Sequence, residues 1–342
     1  MIVVTGAAGF IGYQTAKRLA DEGLSLILVD TLTYFDQRPE HAELARHKKV
    51  IDRLSPLELI AAHSQIDFAK VDAIIHLGAC TDTTEMRVDY LNDVNLEYTK
   101  SLWKIATEYK IPFVYASSAA TYGAGEFGYD DDESKMHQLK PLNPYGDSKL
   151  QFDLWALLEE KAGMTPPAWA GFKFFNVYGF GERHKGKMSS VVLQGFDQIS
   201  AHGKLKLFRS HKAGIADGEQ KRDFVYVGDV VEVIFFALGL SKPGSSNGSL
   251  KRGIYNLGSG KARSFLDLAK ATFGALGKEP EIEFIDTPIE IRDRYQYFTE
   301  ANMSKLKQAG YVREFTSLEG GVKQTVDALN DFSRSASSAQ QK

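Results

Sequence analysis

The chain has 342 residues, 43% hydrophobic and 25% charged, with a formal net charge of −3. That length suits about two domains with a sizeable core, and that balance gives no reason to expect nucleic acid or an anionic membrane as partner. The single cysteine, Cys80, excludes an intrachain disulfide and points to a reducing compartment.

The chain opens on the β-branched run Ile2 to Thr5, with no signal peptide expected, and Gly6-Ala7-Ala8-Gly9-Phe10-Ile11-Gly12 follows at once. Helical periodicity then appears in Ile11, Ala16, Leu19 and Ala20, ending near Gly23. In this strand, turn, helix context, glycines let the backbone approach a pyrophosphate, and the helix N-terminus offers unpaired N–H groups. A second strand, Leu26 to Val29, ends in Asp30, about 20 residues on, where an acid accepts the ribose hydroxyls of NAD. Downstream, Arg38 suits a 2′-phosphate, so NADP stays open, as does a solvated loop cation.

A helix from Pro56 to His63 precedes the strand Ala73 to His76, which runs into Leu77-Gly78-Ala79-Cys80; small residues there let a cofactor lie against the backbone. Cys80 has no identifiable activating base and reads as a small buried residue. Thr81 to Glu85 is a polar loop at the carboxyl end of that strand, where α/β sheets bind ligands. The helix Asp89 to Tyr109 carries Asn95, and the strand Pro112 to Ala116 leads to Ser117-Ser118-Ala119-Ala120-Thr121-Tyr122-Gly123, whose hydroxyls suit either a cleft or a turn.

Pro141 and Pro144 introduce a helix bearing Tyr145-Gly146-Asp147-Ser148-Lys149 and running to Glu160. Residues four apart share a helix face, so the Lys149 ammonium can favour the Tyr145 phenolate and make it an acid or base. The same spacing fits a solvated face. Strands alternating with helices through this half imply a parallel sheet with right-handed crossovers.

Ala170 to Val177 is the next buried strand, ending in Asn176-Val177-Tyr178-Gly179. Arg183-His184-Lys185-Gly186-Lys187-Met188 is a basic loop fit for an anion such as a diphosphate, or for solvent. Lys204 to Phe208 and Asp223 to Tyr226 read as strands around the polar loop Lys212 to Gln220. Asp229 opens a helix to Leu240, whose apolar run from Val230 is broken by Glu232 and too short for a bilayer. After the flexible Ser241 to Lys251 come a strand, Ile254 to Leu257, a helix capped by Ser264 and reaching Leu276, and a strand, Ile282 to Ile285. Arg292-Asp293-Arg294-Tyr295 again offers guanidiniums, and Ser333 to Lys342 is expected to be a disordered tail. The eight histidines show no metal-ligand spacing, so no metal is expected.

In this order and spacing, Gly6 to Gly12, Asp30, Ser117 to Gly123 and Tyr145 to Lys149 make the chain resemble the extended short-chain dehydrogenase/reductase superfamily. Within it the chain is most similar to the ADP-L-glycero-D-manno-heptose 6-epimerases. That likeness rests on Ala79 to Glu85, Tyr115 to Gly123, Phe174 to Gly179, His184-Lys185-Gly186, Lys221 to Val230 and Arg294-Tyr295-Gln296, covering residues 1 to about 315.

The resemblance implies an α/β fold: a Rossmann-type doubly wound parallel sheet (1–175, with a return near 223–240) and a smaller α/β substrate-binding domain (176–222 and 241–332). It implies tightly bound NAD or NADP and an ADP-heptose substrate, inverted through a transient 6-keto sugar for lipopolysaccharide core synthesis. It also implies a cytoplasmic homo-oligomer, commonly a pentamer. By that likeness Tyr145, Lys149, Lys185 and Ser118 are catalytic, Ser117 being the alternative hydroxyl. Gly6, Gly9, Phe10, Ile11, Gly12, Asp30, Thr31, Arg38, Leu77, Gly78, Ala79, Cys80, Thr81, Asn95 and Val177, with Tyr145, Lys149 and Lys185, fall at cofactor positions. Ser118, Asn176, Lys187, Gln194, Phe208, Arg222 and Tyr295 fall at substrate positions. Lys187 and Gln194 depart from the family, which carries serine and histidine there. A UDP- or dTDP-sugar 4-epimerase or dehydratase is the alternative enzyme, although Ala119-Ala120 stand where a dehydratase carries Asp-Glu. A non-catalytic dinucleotide sensor is the alternative of another class.

Overall fold

A computed structural model describes residues 1–61, 66–240, 250–292 and 295–339. Twelve strands follow in chain order among them: β1 (Ile2–Thr5), β2 (Leu26–Val29), β3 (Val50–Leu54), β4 (Ala73–His76), β5 (Phe113–Ser118), β6 (Trp169–Phe174), β7 (Asn176–Tyr178), β8 (Leu205–Phe208), β9 (Lys221–Tyr226), β10 (Gly253–Leu257), β11 (Ala262–Ser264) and β12 (Ile282–Ile285). They fall into two compact units.

The first unit comprises Met1–Phe174, Val230–Leu257 and Asn302–Arg313. Its sheet runs β10-β6-β5-β4-β1-β2-β3, every neighbouring pair parallel. β1, β2 and β4 are buried along their whole length, as strands covered on both faces must be. Trp103 anchors one core layer against Trp169, Phe113 and Phe152, with ring centroids 5.1, 5.8 and 6.0 Å away. The strand order reverses between β1 and β4, so the loops after those two strands flank the switch point at which such sheets bind ligands. This is the doubly wound Rossmann-type architecture expected.

The second unit comprises Phe175–Asp229, Gly258–Ala301 and Glu314–Lys342. It holds a three-stranded sheet, β11-β9-β7, and a parallel pair, β12-β8. The helices Val191–His202, Phe265–Ala275 and Leu318–Ala339 pack through Val192, Phe196, Leu268, Val322, Val326 and Leu329. Ser264 caps its helix as its sequence position suggests, its hydroxyl and the Asp267 carboxylate forming a reciprocal box.

Several elements differ from the sequence expectation. The strand expected over 170–177 is two, β6 and β7, separated at Phe175 and lying in different sheets. β5 runs on through Ser117 and Ser118, hydroxyls being tolerated at a buried strand end when they are paired. β3 and β11 carry no apolar run to reveal them, because each is only half-buried. The helix expected from Asp89 contains a π-helical stretch, Asn92–Glu97. The helix expected to open at Asp229 begins at Val227. Helix also continues to Ala339 where a disordered tail is expected, extending the amphipathic Leu318 helix; residues 340–342 lie outside the described residues. So do 62 and 63 of the helix that starts at Pro56, 241–249 of the flexible connection, and Asp293 and Arg294. No described helix is long and apolar enough to cross a membrane.

Candidate active site

In the first unit the loop after β1 is built for close approach. Gly6 has a φ of +68°, and a Cβ there would lie 2.6 Å from the Gly78 nitrogen. A Cβ on Gly12 would lie 2.0 Å from the Gly6 carbonyl oxygen. Gly6 therefore lets the loop after β1 lie against the loop after β4, and Gly12 lets the helix start close against the Gly6 turn. The helix Phe10–Asp21 starts at Gly9 with no side-chain cap and no acid in its first turn, leaving its positive end for an anion. The Asp30 carboxylate accepts hydrogen bonds from the Ala8 and Thr31 amides at 2.9 and 2.8 Å. Burial raises its pKa, while those amides and the Arg38 charge oppose the shift. Arg38 donates to the Ala8 carbonyl and stacks over Tyr34, 4.1 Å from its centroid. An open helix end, glycines at the turn and an acid at the tip of β2 fit a dinucleotide. Gly12→Ala is expected to destabilise the protein by about 1–3 kcal/mol and to yield protein without co-purifying dinucleotide, as read by thermal melting and by absorbance of the heat-released nucleotide.

Behind the loops lies a buried relay that sequence reasoning missed. The Gly78 amide donates to Thr5 Oγ1 at 3.1 Å, and Thr5 Oγ1 meets His76 Nδ1 at 2.6 Å. His76 Nε2 meets Thr99 Oγ1 at 2.9 Å, and Thr99 donates to the Asn95 carbonyl. Burial, helped by the Lys149 charge, lowers the His76 pKa to about 3, so the imidazole stays neutral and passes one hydrogen bond on each side. The Asn95 side chain exchanges hydrogen bonds with both the amide and the carbonyl of Cys80 and donates to Ser148 Oγ. Ser148 in turn donates to the Tyr145 carbonyl. Asn95 thus ties the loop after β4 to the helix Pro144–Lys161. Burial raises the Cys80 thiol, in keeping with a structural residue.

Asn143 caps that helix through the Gly146 amide, fixing Tyr145 in its first turn. Burial, the dominant cause, raises the Tyr145 phenol's pKa against the opposing pull of the Ser118 hydroxyl. Lys149 is buried and donates to the Ala116 carbonyl at 2.9 Å; burial lowers its pKa to about 8 against the pull of Asp153. The expected lowering of the phenol pKa by Lys149 is therefore not what governs it here. Ser117 is committed elsewhere. Its hydroxyl donates to Asp153 at 2.6 Å, Tyr115 donates to the same carboxylate, and Lys173 pairs with it at 2.6 Å, both side chains fully buried. This network, also unseen in the sequence, pins β5 and β6 to the helix and leaves Ser118 as the hydroxyl on the phenol.

The second unit contains a cavity of about 740 Å³ lined by Asn176, Val177, Lys185, Lys187, Gln194, Phe208, Arg222 and Tyr295, all the residues expected at ligand positions in that unit. Arg222 is held by the Gln296 carbonyl and lies over the Tyr295 and Phe265 rings, 5.4 and 5.7 Å from their centroids. That fixes a guanidinium on a cavity wall. The two departures from the family pattern are linked: the Gln194 amide donates to the Lys187 and Ser189 carbonyls at 3.3 and 2.9 Å. Arg183 is paired with Asp197 and does not line the cavity, nor does Arg292, which donates to the Thr287 carbonyl.

Residues 2–258 match the model of the NAD dependent epimerase/dehydratase family. The chain is 44% identical over 334 residues to the ADP-L-glycero-D-manno-heptose-6-epimerase of Fusobacterium nucleatum subsp. nucleatum, covering 95% of this chain and 97% of the relative. It is 42% identical over 327 residues to the protein of the same name from Nitratidesulfovibrio vulgaris, with the same coverage. Among solved structures, the Helicobacter pylori ADP-L-glycero-D-manno-heptose-6-epimerase superposes with a TM-score of 0.75 at 26% identity, covering 96% of each chain. The UDP-glucuronic acid 4-epimerase of Bacillus cereus, solved with NAD, reaches a TM-score of 0.73 at 22% identity, covering 97% of this chain and 99% of its own; this likeness concerns the fold.

Proposed function

The chain belongs to the NAD dependent epimerase/dehydratase family, and from that premise we propose that it interconverts ADP-D-glycero-D-manno-heptose and its L-glycero epimer at C6, using tightly bound NAD or NADP. The observation that carries the substrate is the 42–44% identity, over 95% of the chain, to relatives named for that reaction. The product would serve heptose-containing surface polysaccharide, and the enzyme would work in the cytoplasm as a homo-oligomer.

A hydrogen on an unactivated alcohol carbon is too weakly acidic for any side chain to remove, so inversion proceeds through a ketone. The nicotinamide, when bound, supplies reversible hydride acceptance at C6. Tyr145 takes the proton of the reacting hydroxyl on one face, and Ser118 holds that oxygen through its hydroxyl. Lys149, one helical turn on, supplies positive charge to the phenolate and to the cofactor ribose. Lys185 serves as the acid/base for the opposite face, since one base cannot serve both faces of a carbon.

The purified protein is expected to equilibrate the two ADP-heptose epimers without added cofactor, and in deuterium oxide no label should enter C6. Deuterium at that carbon, read by mass spectrometry and NMR, would exclude the direct return of hydride. Turnover of UDP-sugars in preference to ADP-heptose would displace the substrate assignment.

A further inference from the structure

Glu182 is a buried carboxylate on the wall of the second unit's cavity, and the reaction as described gives it no part. Its side chain is fully shielded from solvent, whereas that of Lys185 is 24% exposed. One carboxylate oxygen accepts the Gly179 amide at 3.2 Å. The other accepts the Ser190 amide at 2.9 Å and the Lys185 ammonium at 3.0 Å. Gly179 and Ser190 stand at the two ends of the loop that carries Lys185, so the carboxylate is fixed to the loop's base before it meets the lysine. Both Glu182 and Lys185 line the cavity. A buried carboxylate is costly unless paired, so this ion pair fixes where the lysine's ammonium sits.

We propose that Glu182 is a positioning residue that holds the Lys185 ammonium in place at the cavity wall, so that Lys185 is oriented as the proton donor of the second half-reaction and the first proton is accepted by Tyr145. The proposal rests on the assignment of Lys185 as second acid/base and deepens it. In the first half-reaction the hydroxyl O–H bond breaks and its proton passes to Tyr145 in its phenolate form, while a bound nicotinamide would supply hydride acceptance at C6. In the second, hydride would be given back on the other face, the Lys185 N–H bond breaks and the new O–H bond forms. Lys185 is left as a neutral amine beside Glu182 and Tyr145 as a protonated phenol. Proton exchange with water resets both.

The test compares Glu182→Gln, Glu182→Asp and Lys185→Met in purified holoenzyme on ADP-heptose. Glutamine keeps the length and can still accept the Gly179 amide, but it loses the charge; aspartate keeps the charge on a shorter stem. If charge on Lys185 is what matters, Glu182→Gln lowers kcat by about 10-fold or more, Glu182→Asp retains more activity, and KM changes little. Single-turnover reduction of the nicotinamide by the epimer that Tyr145 oxidises should then survive in Glu182→Gln, as in Lys185→Met. A carboxylate that merely caps the loop would give the reverse order, glutamine outperforming aspartate, and that result overturns the proposal. So does wild-type kcat in Glu182→Gln when Lys185→Met is inactive. Full activity in Lys185→Met instead removes the underlying assignment of the second base, an outcome distinct from both.

Discussion

Tyr145→Phe is expected to lower turnover by about 10²- to 10⁴-fold while the protein still carries its dinucleotide. The substitution removes one oxygen from a ring that is 8% exposed and leaves the ring's packing intact. Ser118 accepts the Ala120 amide at 3.1 Å, so the serine remains anchored when the phenol oxygen is gone. The loop after β4 should be undisturbed, because Asn95 reaches this helix through Ser148 and the Tyr145 backbone carbonyl, not through the phenol. Epimer interconversion and absorbance of the heat-released nucleotide read the two halves of the expectation. Activity above a tenth of wild type would show that another group accepts the proton, and loss of the dinucleotide would show that the phenol holds cofactor.

The parts of this site that were legible in the sequence are those whose partners lie close along the chain. The glycine turn, Asp30 at the tip of β2, and Tyr145 with Lys149 each follow from local spacing, and the fold brings all of them into the first unit. The buried pairs were not legible, because they join residues far apart in sequence: Thr5 to His76, Asp153 to Lys173, and Asn95 to both Cys80 and Ser148. The signals were faint but present. A histidine ending an apolar strand and a lysine in the middle of β6 are each costly to bury alone and so demand a partner. The choice between Ser117 and Ser118 also needed the structure. Ser117 is taken by Asp153 at 2.6 Å, and that pairing settles the choice. Phe175 carries no break signal, being apolar like its neighbours, and the division between β6 and β7 is set by which sheet each strand joins.

Lys185→Met tests the other face of the reaction, with an expected loss of about 10²- to 10⁴-fold in turnover and retention of the dinucleotide, whose glycine turn lies in the first unit. Methionine approximates the lysine stem, so packing on the cavity wall changes little. What changes is charge: Glu182 loses the ammonium at 3.0 Å and keeps only the Gly179 and Ser190 amides. An incompletely paired buried group costs about 1–3 kcal/mol, so Lys185→Met should also melt below wild type. Adding Glu182→Gln to Lys185→Met removes the stranded charge and should recover part of the melting temperature while recovering no turnover. That divergence separates the lysine's two roles, since stability follows the balance of charge in the loop and catalysis follows the proton that only the amine can carry. If the double variant regained activity along with stability, the loss in Lys185→Met would belong to a disordered loop, and the second acid/base would have to be sought elsewhere on the cavity wall.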